Sequence, residues 1–341
     1  LKDDNTIHFA NANFDFSGFK KISIIACGTS FYAATLFCYQ AISITKIPCE
    51  CDIASEFRYK DIVFEKDTLY ILMSQSGETA DTIAALDFIN ENKQSGSKTL
   101  AIINVKHSTI AKKSDGFIEC FSGREISVAS TKNFTNQVLS LLFVAIKIAQ
   151  SKNIAIDNDI FSSIKSLSAA FYQFLFSIEN IEKVKKMAQK ISMHKKVMFV
   201  ARSLLYPIAL EGALKLKELS YLPTEGIASG ELKHGPIAVV DENLVCVCLL
   251  SNYILKNKTE SSIQEILARN GSCIIISDYK FENSNPHNLD IDISSITKNI
   301  NKFVLPLLFI PIVQLLSFFT ATQMGMDVDK PRNLAKSVTV E

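Results

Sequence analysis

The sequence has no excess charge of either sign. Its 36 Lys and Arg stand against 35 Asp and Glu, a formal net charge of +1. That balance argues against a basic footprint for nucleic acid and against a polyacidic tail. No G-x-G-x-x-G follows a predicted strand and no G-x-x-x-x-G-K-[ST] occurs anywhere, so the glycine devices that hold dinucleotides and nucleoside triphosphates are missing. There is no C-x-x-C, although eight cysteines lie at 27, 38, 49, 51, 120, 246, 248 and 273. Disulfide frameworks belong to short secreted chains with thin cores. The five histidines, at 8, 107, 194, 234 and 287, never join the cysteines at zinc-ligand spacing. Neither a disulfide scaffold, a structural metal nor a cofactor is expected. The opening Leu1-Lys-Asp-Asp-Asn5 carries no basic-then-apolar leader and no initiator Met, from which a cytoplasmic protein cut out of a longer polypeptide is expected.

What is present suits a large buried core. The 341 residues are 48% hydrophobic and 21% charged, which excludes overall disorder and favours two domains. Phe303 to Phe319 approaches the length of a membrane span, but contains Pro306, Pro311, Gln314 and Ser317 and lacks a basic flank. It is expected to be a core helix, and no membrane partner is expected.

Along the chain, apolar runs alternate with helical periodicity. Lys21–Ala26 reads as a buried strand that passes through Cys27-Gly-Thr-Ser30 into a helix from Phe31 to Ile44. Thr68–Met73 is a second strand, followed by Ser74-Gln-Ser-Gly-Glu-Thr79 and a helical run through Ile89, with a third strand at Thr99–Asn104. Helices at 134–149, 160–176 and 181–191 separate this unit from a similar one: strands at 196–201, 244–250 and 272–276, helices at 206–221 and 263–268. Such alternation implies parallel sheets built by right-handed crossovers, with ligands at the C-terminal ends of the strands. The expected fold class is α/β, two doubly wound parallel-sheet units, with a boundary near residues 150 to 195. Cys246 and Cys248 share one strand face as small core residues.

Three hydroxyl-rich segments stand where helices begin: Thr29-Ser30, Ser74–Thr79 and Ser127-Val-Ala-Ser-Thr131. Helix N-termini attract anions through free N–H groups, and hydroxyls add donors that wrap a phosphate without lysine. A capping turn is the plain alternative. Taken together, the three suggest one phosphorylated, polyhydroxylated ligand, for which a sugar phosphate fits. Glu211, Leu214, Lys215 and Glu218 lie along one helical face, as an ordinary surface charge lattice also would. The following Thr224–Pro236 reads as a glycine-rich loop that presents His234 sixteen residues after Glu218, an acid/base pair for a cleft.

The runs ACGTS (26–30), SEFRY (55–59), SQSGETADT (74–82), REISVASTKNFTNQ (124–137), YPIALEGALKLKE (206–218), GELKHGP (230–236) and PRNLAKSVTVE (331–341) closely resemble the isomerase portion of the glutamine:fructose-6-phosphate aminotransferase family. The resemblance spans residues near 20 to 341 and implies two SIS-type (flavodoxin-like) domains, 1–155 and 156–325. A tail at 326–341 would close over the sugar site, and an N-terminal glutaminase domain is absent from this chain. It implies that Thr29, Ser30, Ser74, Gln75, Ser76 and Thr79 hold the phosphate and that Val128 and Ser130 line the sugar. Glu218 corresponds to the proton shuttle, Lys215 to its neighbouring cation, His234 to the ring-opening residue from a second subunit, and Lys336 to the lysine near the carbonyl. The implied partners are fructose 6-phosphate, glucosamine 6-phosphate, ammonia released from glutamine, and a second copy in a homodimer with shared sites. Ser127 departs from the glycine common in the family, and 201–205 and 223–227 are also less typical. A sugar-phosphate sensor, or an enzyme cleaving phosphosugar-amine adducts, would share the fold. Only the isomerase reading gives Glu218, His234 and Lys336 work.

Overall fold

The computed structural model describes residues 1–2, 4–282, 285 and 288–340. His287 and Glu341, named above, lie outside the described residues. The chain divides into two units, Leu1–Ile126 with Ser130–Asp157 and Ala335–Glu341, and Ser127–Ala129 with Asn158–Leu334. Residues 326–341 are thus no separate body. Those up to Leu334 belong to the second unit and those from Ala335 to the first, because each part finds its own hydrogen-bond partners there.

The first unit runs β1 (Lys21–Ala26), α1 (Gly28–Thr45), β2 (Cys49–Ile53), α2 (Ala54–Phe57), β3 (Thr68–Ser74), α3 (Ala80–Asn92), β4 (Lys98–Ile103), α4 (Thr109–Lys113), β5 (Gly116–Glu119) and α5 (Lys132–Ser151). Its sheet has the order β2-β1-β3-β4-β5, and every pair is parallel. One face is covered by α2, α3 and α4 through Phe57, Leu86, Ile89 and Ile110. α1 and α5, packed together, cover the other.

The second unit opens with α6 (Asn158–Leu175) and α7 (Ile178–Ser192). It continues through β6 (Lys196–Ala201), α8 (Tyr206–Ser220), β7 (Thr224–Ala228), β8 (Leu244–Leu250), α9 (Lys256–Leu267), β9 (Ser272–Ser277), β10 (Leu289–Asp292), α10 (Ser294–Thr297) and α11 (Pro306–Gln323). The sheet order is β10-β9-β8-β6-β7, again all parallel. Cys246 and Cys248 are fully buried on the face that packs Ile263 and Ile266 of α9. α11 is the one helix among the described residues long and apolar enough to cross a membrane. It packs on α8 and α7, with Leu307, Leu308, Ile312, Val313 and Leu316 fully buried.

Two expectations are corrected. Four strands were not foreseen, β2, β5, β7 and β10, and all four are sheet edges. A strand buried on both faces reads as one apolar run, as in β3 and β8, where every residue is buried. An edge strand leaves residues exposed or half-buried and loses that signature, as in CECDI and TEGIA. Consequently Thr224–Ala228 is β7 and not the start of a glycine-rich loop; only 229–235 turns, ending in a short 3-10 helix, Leu232–His234. Gly226 belongs to β7 because of close approach: a Cβ there would meet the Leu210 Cα at 2.8 Å and the Ala209 carbonyl oxygen at 3.0 Å. That contact seats α8 against the sheet.

Candidate active site

In both sheets the chain order reverses beside the first strand, between β1 and β3 and between β6 and β8. In open parallel sheets ligands bind at the carboxyl ends of the strands flanking such a reversal. In the first unit these ends lead into Cys27–Ser30 and Gln75–Thr79, the hydroxyl-rich segments already singled out.

The turn after β3 is a compact hydroxyl cluster. Ser74 Oγ accepts the Gly77 N–H at 3.0 Å and lies 2.8 Å from Thr79 Oγ1. Ser76 Oγ accepts the Glu78 N–H at 3.1 Å. Gly77 has φ +69°, in the left-handed region that glycine enters without steric cost. A Cβ at Gly77 would also strike the Ser108 side chain at 2.1 Å. Thr79 is the N-cap of α3, yet its side chain does not cap. The C-terminal tail does so instead. Val338 accepts the Ala80 N–H at 3.1 Å, and Ser337 Oγ lies 3.0 Å from Ser76 Oγ. Gln75 joins through its backbone, whose carbonyl accepts the Asn104 N–H.

The other expected phosphate ligands are placed differently. Thr29 and Ser30 lie within the first turn of α1, which begins at Gly28 and not at Phe31. Ser30 is buried and its hydroxyl donates to Gln137 Oε1 of α5 at 3.0 Å. Ser130 is half-buried, and its Oγ, shielded from solvent, has no hydrogen-bond partner among the described residues, a donor held in reserve just ahead of α5.

Lys336, in the same tail, forms an ion pair with Glu125 at 2.7 Å. Glu125 is 4% exposed at its side chain and also accepts the N–H groups of Thr131 (2.9 Å) and Asn133 (3.4 Å). Burial pushes its carboxyl upward, but the Lys336 ammonium and the two N–H groups win and hold it below the ordinary carboxylate range. Glu125 was not foreseen as a site residue. Its signal was an acidic side chain just ahead of a predicted helix start, where free N–H groups favour an anion.

In the second unit, α8 carries Glu211, Lys215 and Glu218 one turn apart. They are not the surface lattice that their spacing also allowed. The side chains of Glu211 and Lys215 are 0% and 2% exposed, and that of Glu218 is 20% exposed. The Lys215 ammonium lies 3.9 Å from Glu211 Oε1 and donates a short hydrogen bond to Glu218 Oε2. Two carboxylates around one buried ammonium give a carboxylate whose orientation is fixed and whose open edge still reaches solvent. Leu219 packs with Ala129, Ala321, Met326 and Val328. Ser127 Oγ donates to the Val328 carbonyl (2.9 Å) and the Val128 N–H to that of Asp329 (3.1 Å), which holds Val128 beside the end of α8 that bears Glu218. Arg332 lies over the Tyr221 ring at 4.2 Å, and its N–H donates to the Tyr221 hydroxyl. His234 is exposed at the end of its 3-10 turn, and the structure does not bring it to Glu218.

Comparison with known proteins matches this architecture. The family model described as the SIS domain matches residues 15–147 and 190–313. The glutamine–fructose-6-phosphate aminotransferase (isomerizing) of Brucella abortus is 41% identical over 328 residues, covering 96% of this chain and 53% of the relative. That of Clostridium tetani is 40% identical, covering 94% and 52%. The chain therefore spans about half the length of these curated relatives. Among solved structures, the C-terminal domain of glucosamine-fructose-6-phosphate aminotransferase from Francisella tularensis superposes with a TM-score of 0.82 at 37% identity, covering 93% of this chain and 88% of that one. The glucosamine-6-phosphate deaminase of Thermotoga maritima, at 22% identity and TM-score 0.75, shares the fold. Matched on both sheets, and along most of a solved isomerase portion, the chain belongs to the SIS-domain family as the C-terminal isomerase portion of the glutamine–fructose-6-phosphate aminotransferases.

Proposed function

We propose that this chain binds fructose 6-phosphate, opens its ring and isomerises the ammonia adduct to glucosamine 6-phosphate, with the ammonia supplied from glutamine by a domain outside the chain. The observation that carries an enzyme, and not a sugar sensor, is the buried Lys215 with its two carboxylates on α8. Keeping these charges out of water costs several kcal/mol per ion before pairing, and a binding module has no use for a fixed base there.

The first unit supplies the anion site. Ser74, Gln75, Ser76 and Thr79, joined by Thr29 and Ser30, hold the phosphate at the start of α3, where the tail carbonyl of Val338 now takes one N–H. Val128 and Ser130 line the sugar. Chemistry falls to the second unit: Glu218 moves the proton between C1 and C2, and Lys215 offsets the enolate-like charge that develops. His234 passes a proton to the ring oxygen, from a second copy in a homodimer with shared sites; its exposure on a turn suits that role. Lys336 meets the open-chain carbonyl once released from Glu125. The reading places the enzyme in the cytoplasm, at the entry to amino-sugar synthesis.

Pure chain supplied with fructose 6-phosphate and no glutamine is expected to form glucose 6-phosphate slowly, since moving the C1 proton does not require nitrogen to have arrived. A coupled glucose 6-phosphate readout checks this, with a glutamate readout on a parallel sample supplied with glutamine. Glutamate release from glutamine would overturn the division of labour, and tight binding without isomerisation would favour the sensor. Ser76→Ala is expected to weaken fructose 6-phosphate binding by about 1.5–3 kcal/mol, the worth of one hydrogen bond to a charged group, with the thermal midpoint nearly unchanged. Calorimetric titration reads the loss, and unaltered affinity would remove Ser76 from the cradle.

A further inference from the structure

We propose that Cys38 and Cys49 form a reversible disulfide that ties α1 to β2, with Cys51 as the alternative partner of Cys38. Thr35 and Cys38 lie three residues apart on α1 and face β2, where Cys49 and Cys51, two apart, share one side of the strand. Cys38 Sγ is 3.6 Å from Cys49 Sγ, and Thr35 Oγ1 is 3.7 Å from Cys51 Sγ. The Cys38 thiol makes hydrogen-bond contact with both strand cysteines. Forming the bond requires the sulfurs to close by roughly 1.5 Å, to the ordinary S–S length near 2.0 Å. β2 is an edge strand, hydrogen-bonded along one side to β1, so it has more freedom to give than a strand paired on both sides. All three thiols are half-buried, within reach of a small oxidant. Cys246, Cys248 and Cys273 of the second core are fully buried and shielded. No His, Cys, Asp or Glu group among the described residues has the arrangement to hold a metal ion, which leaves oxidation as the chemistry open to the trio.

With hydrogen peroxide as oxidant, one thiolate attacks an oxygen and becomes a sulfenic acid, releasing water. The second thiol then displaces the hydroxyl as a second water and forms the S–S bond. The two cysteines lose two protons and two electrons, and the peroxide becomes two waters; a dithiol reverses the change. The hydrogen bond with Cys49 is the main cause that raises the Cys38 thiol above its usual range, and the bond with Cys38 does the same to Cys51. Because the thiolate is the nucleophile, oxidation is slow at neutral pH and quickens as pH rises.

The native chain is treated with hydrogen peroxide at neutral and alkaline pH, quenched with iodoacetamide, digested without reduction and mapped by mass spectrometry. A Cys38–Cys49 linked peptide is expected, lighter by two hydrogens, faster to form at the higher pH and reversed by dithiothreitol. In Cys49→Ser the link moves to Cys51, and in Cys38→Ser it is lost. If Cys38→Ser does not fold, the Cys49→Ser/Cys51→Ser double variant serves, since it keeps Cys38 and removes both partners. Carbamidomethylated Cys38 after a treatment that cross-links the urea-unfolded chain would overturn the proposal, as would links found only between chains.

Discussion

Glu218→Gln is expected to slow fructose 6-phosphate isomerisation by about 10² to 10⁴, the usual worth of a positioned general base, while sugar-phosphate affinity stays near wild type. The amide keeps the shape of the carboxylate and its place beside Lys215, but it cannot take a proton from carbon. Binding survives because the proposed anion site lies in the first unit, on the turn after β3. Steady-state turnover by the glucose 6-phosphate readout, set beside calorimetric binding, separates the two effects. A variant with wild-type turnover would remove Glu218 as the shuttle. A variant that lost affinity and turnover together would make it a binding residue, since an interaction made only in the transition state lowers turnover and leaves binding alone.

Lys215→Ala is expected to cost about 3–5 kcal/mol of stability, the usual consequence of removing one partner from a buried ion pair. Glu211 is fully buried, so its charge loses the nearby ammonium without gaining solvent. Chemical denaturation read by circular dichroism measures the loss. The double variant Glu211→Gln/Lys215→Met is expected to recover much of that stability, because an apolar side chain of similar length beside a neutral amide leaves no buried charge unpaired. It should remain inactive, lacking the cation that offsets developing charge. A Lys215→Ala chain as stable as wild type would mean that water reaches Glu211.

The fold class, and the hydroxyl-rich turn after β3 proposed to hold the phosphate, were legible in the sequence alone. β1, β3, β4, β6, β8 and β9 are central strands, buried on both faces, and such strands read as unbroken apolar runs. The cradle is local in the same way: Ser74, Ser76, Gly77 and Thr79 form a strand-to-helix turn whose internal hydrogen bonds span five residues or fewer. Whatever depends on a distant neighbour became visible only in the folded chain. Whether β7 was strand or loop depended on the backbone of β6 beside it. Spacing alone left Glu211, Lys215 and Glu218 as fit for a solvated helix face as for a buried triad. Packing of α8 against β6, β7 and α11 settled the choice by removing that face from water. The tail shows the same limit most plainly: Lys336 meets Glu125 across 211 positions of sequence and Ser337 meets Ser76 across 261. Contacts at such separation leave no local pattern, because the residues that make them carry no periodicity of their own and become neighbours only in the folded first unit.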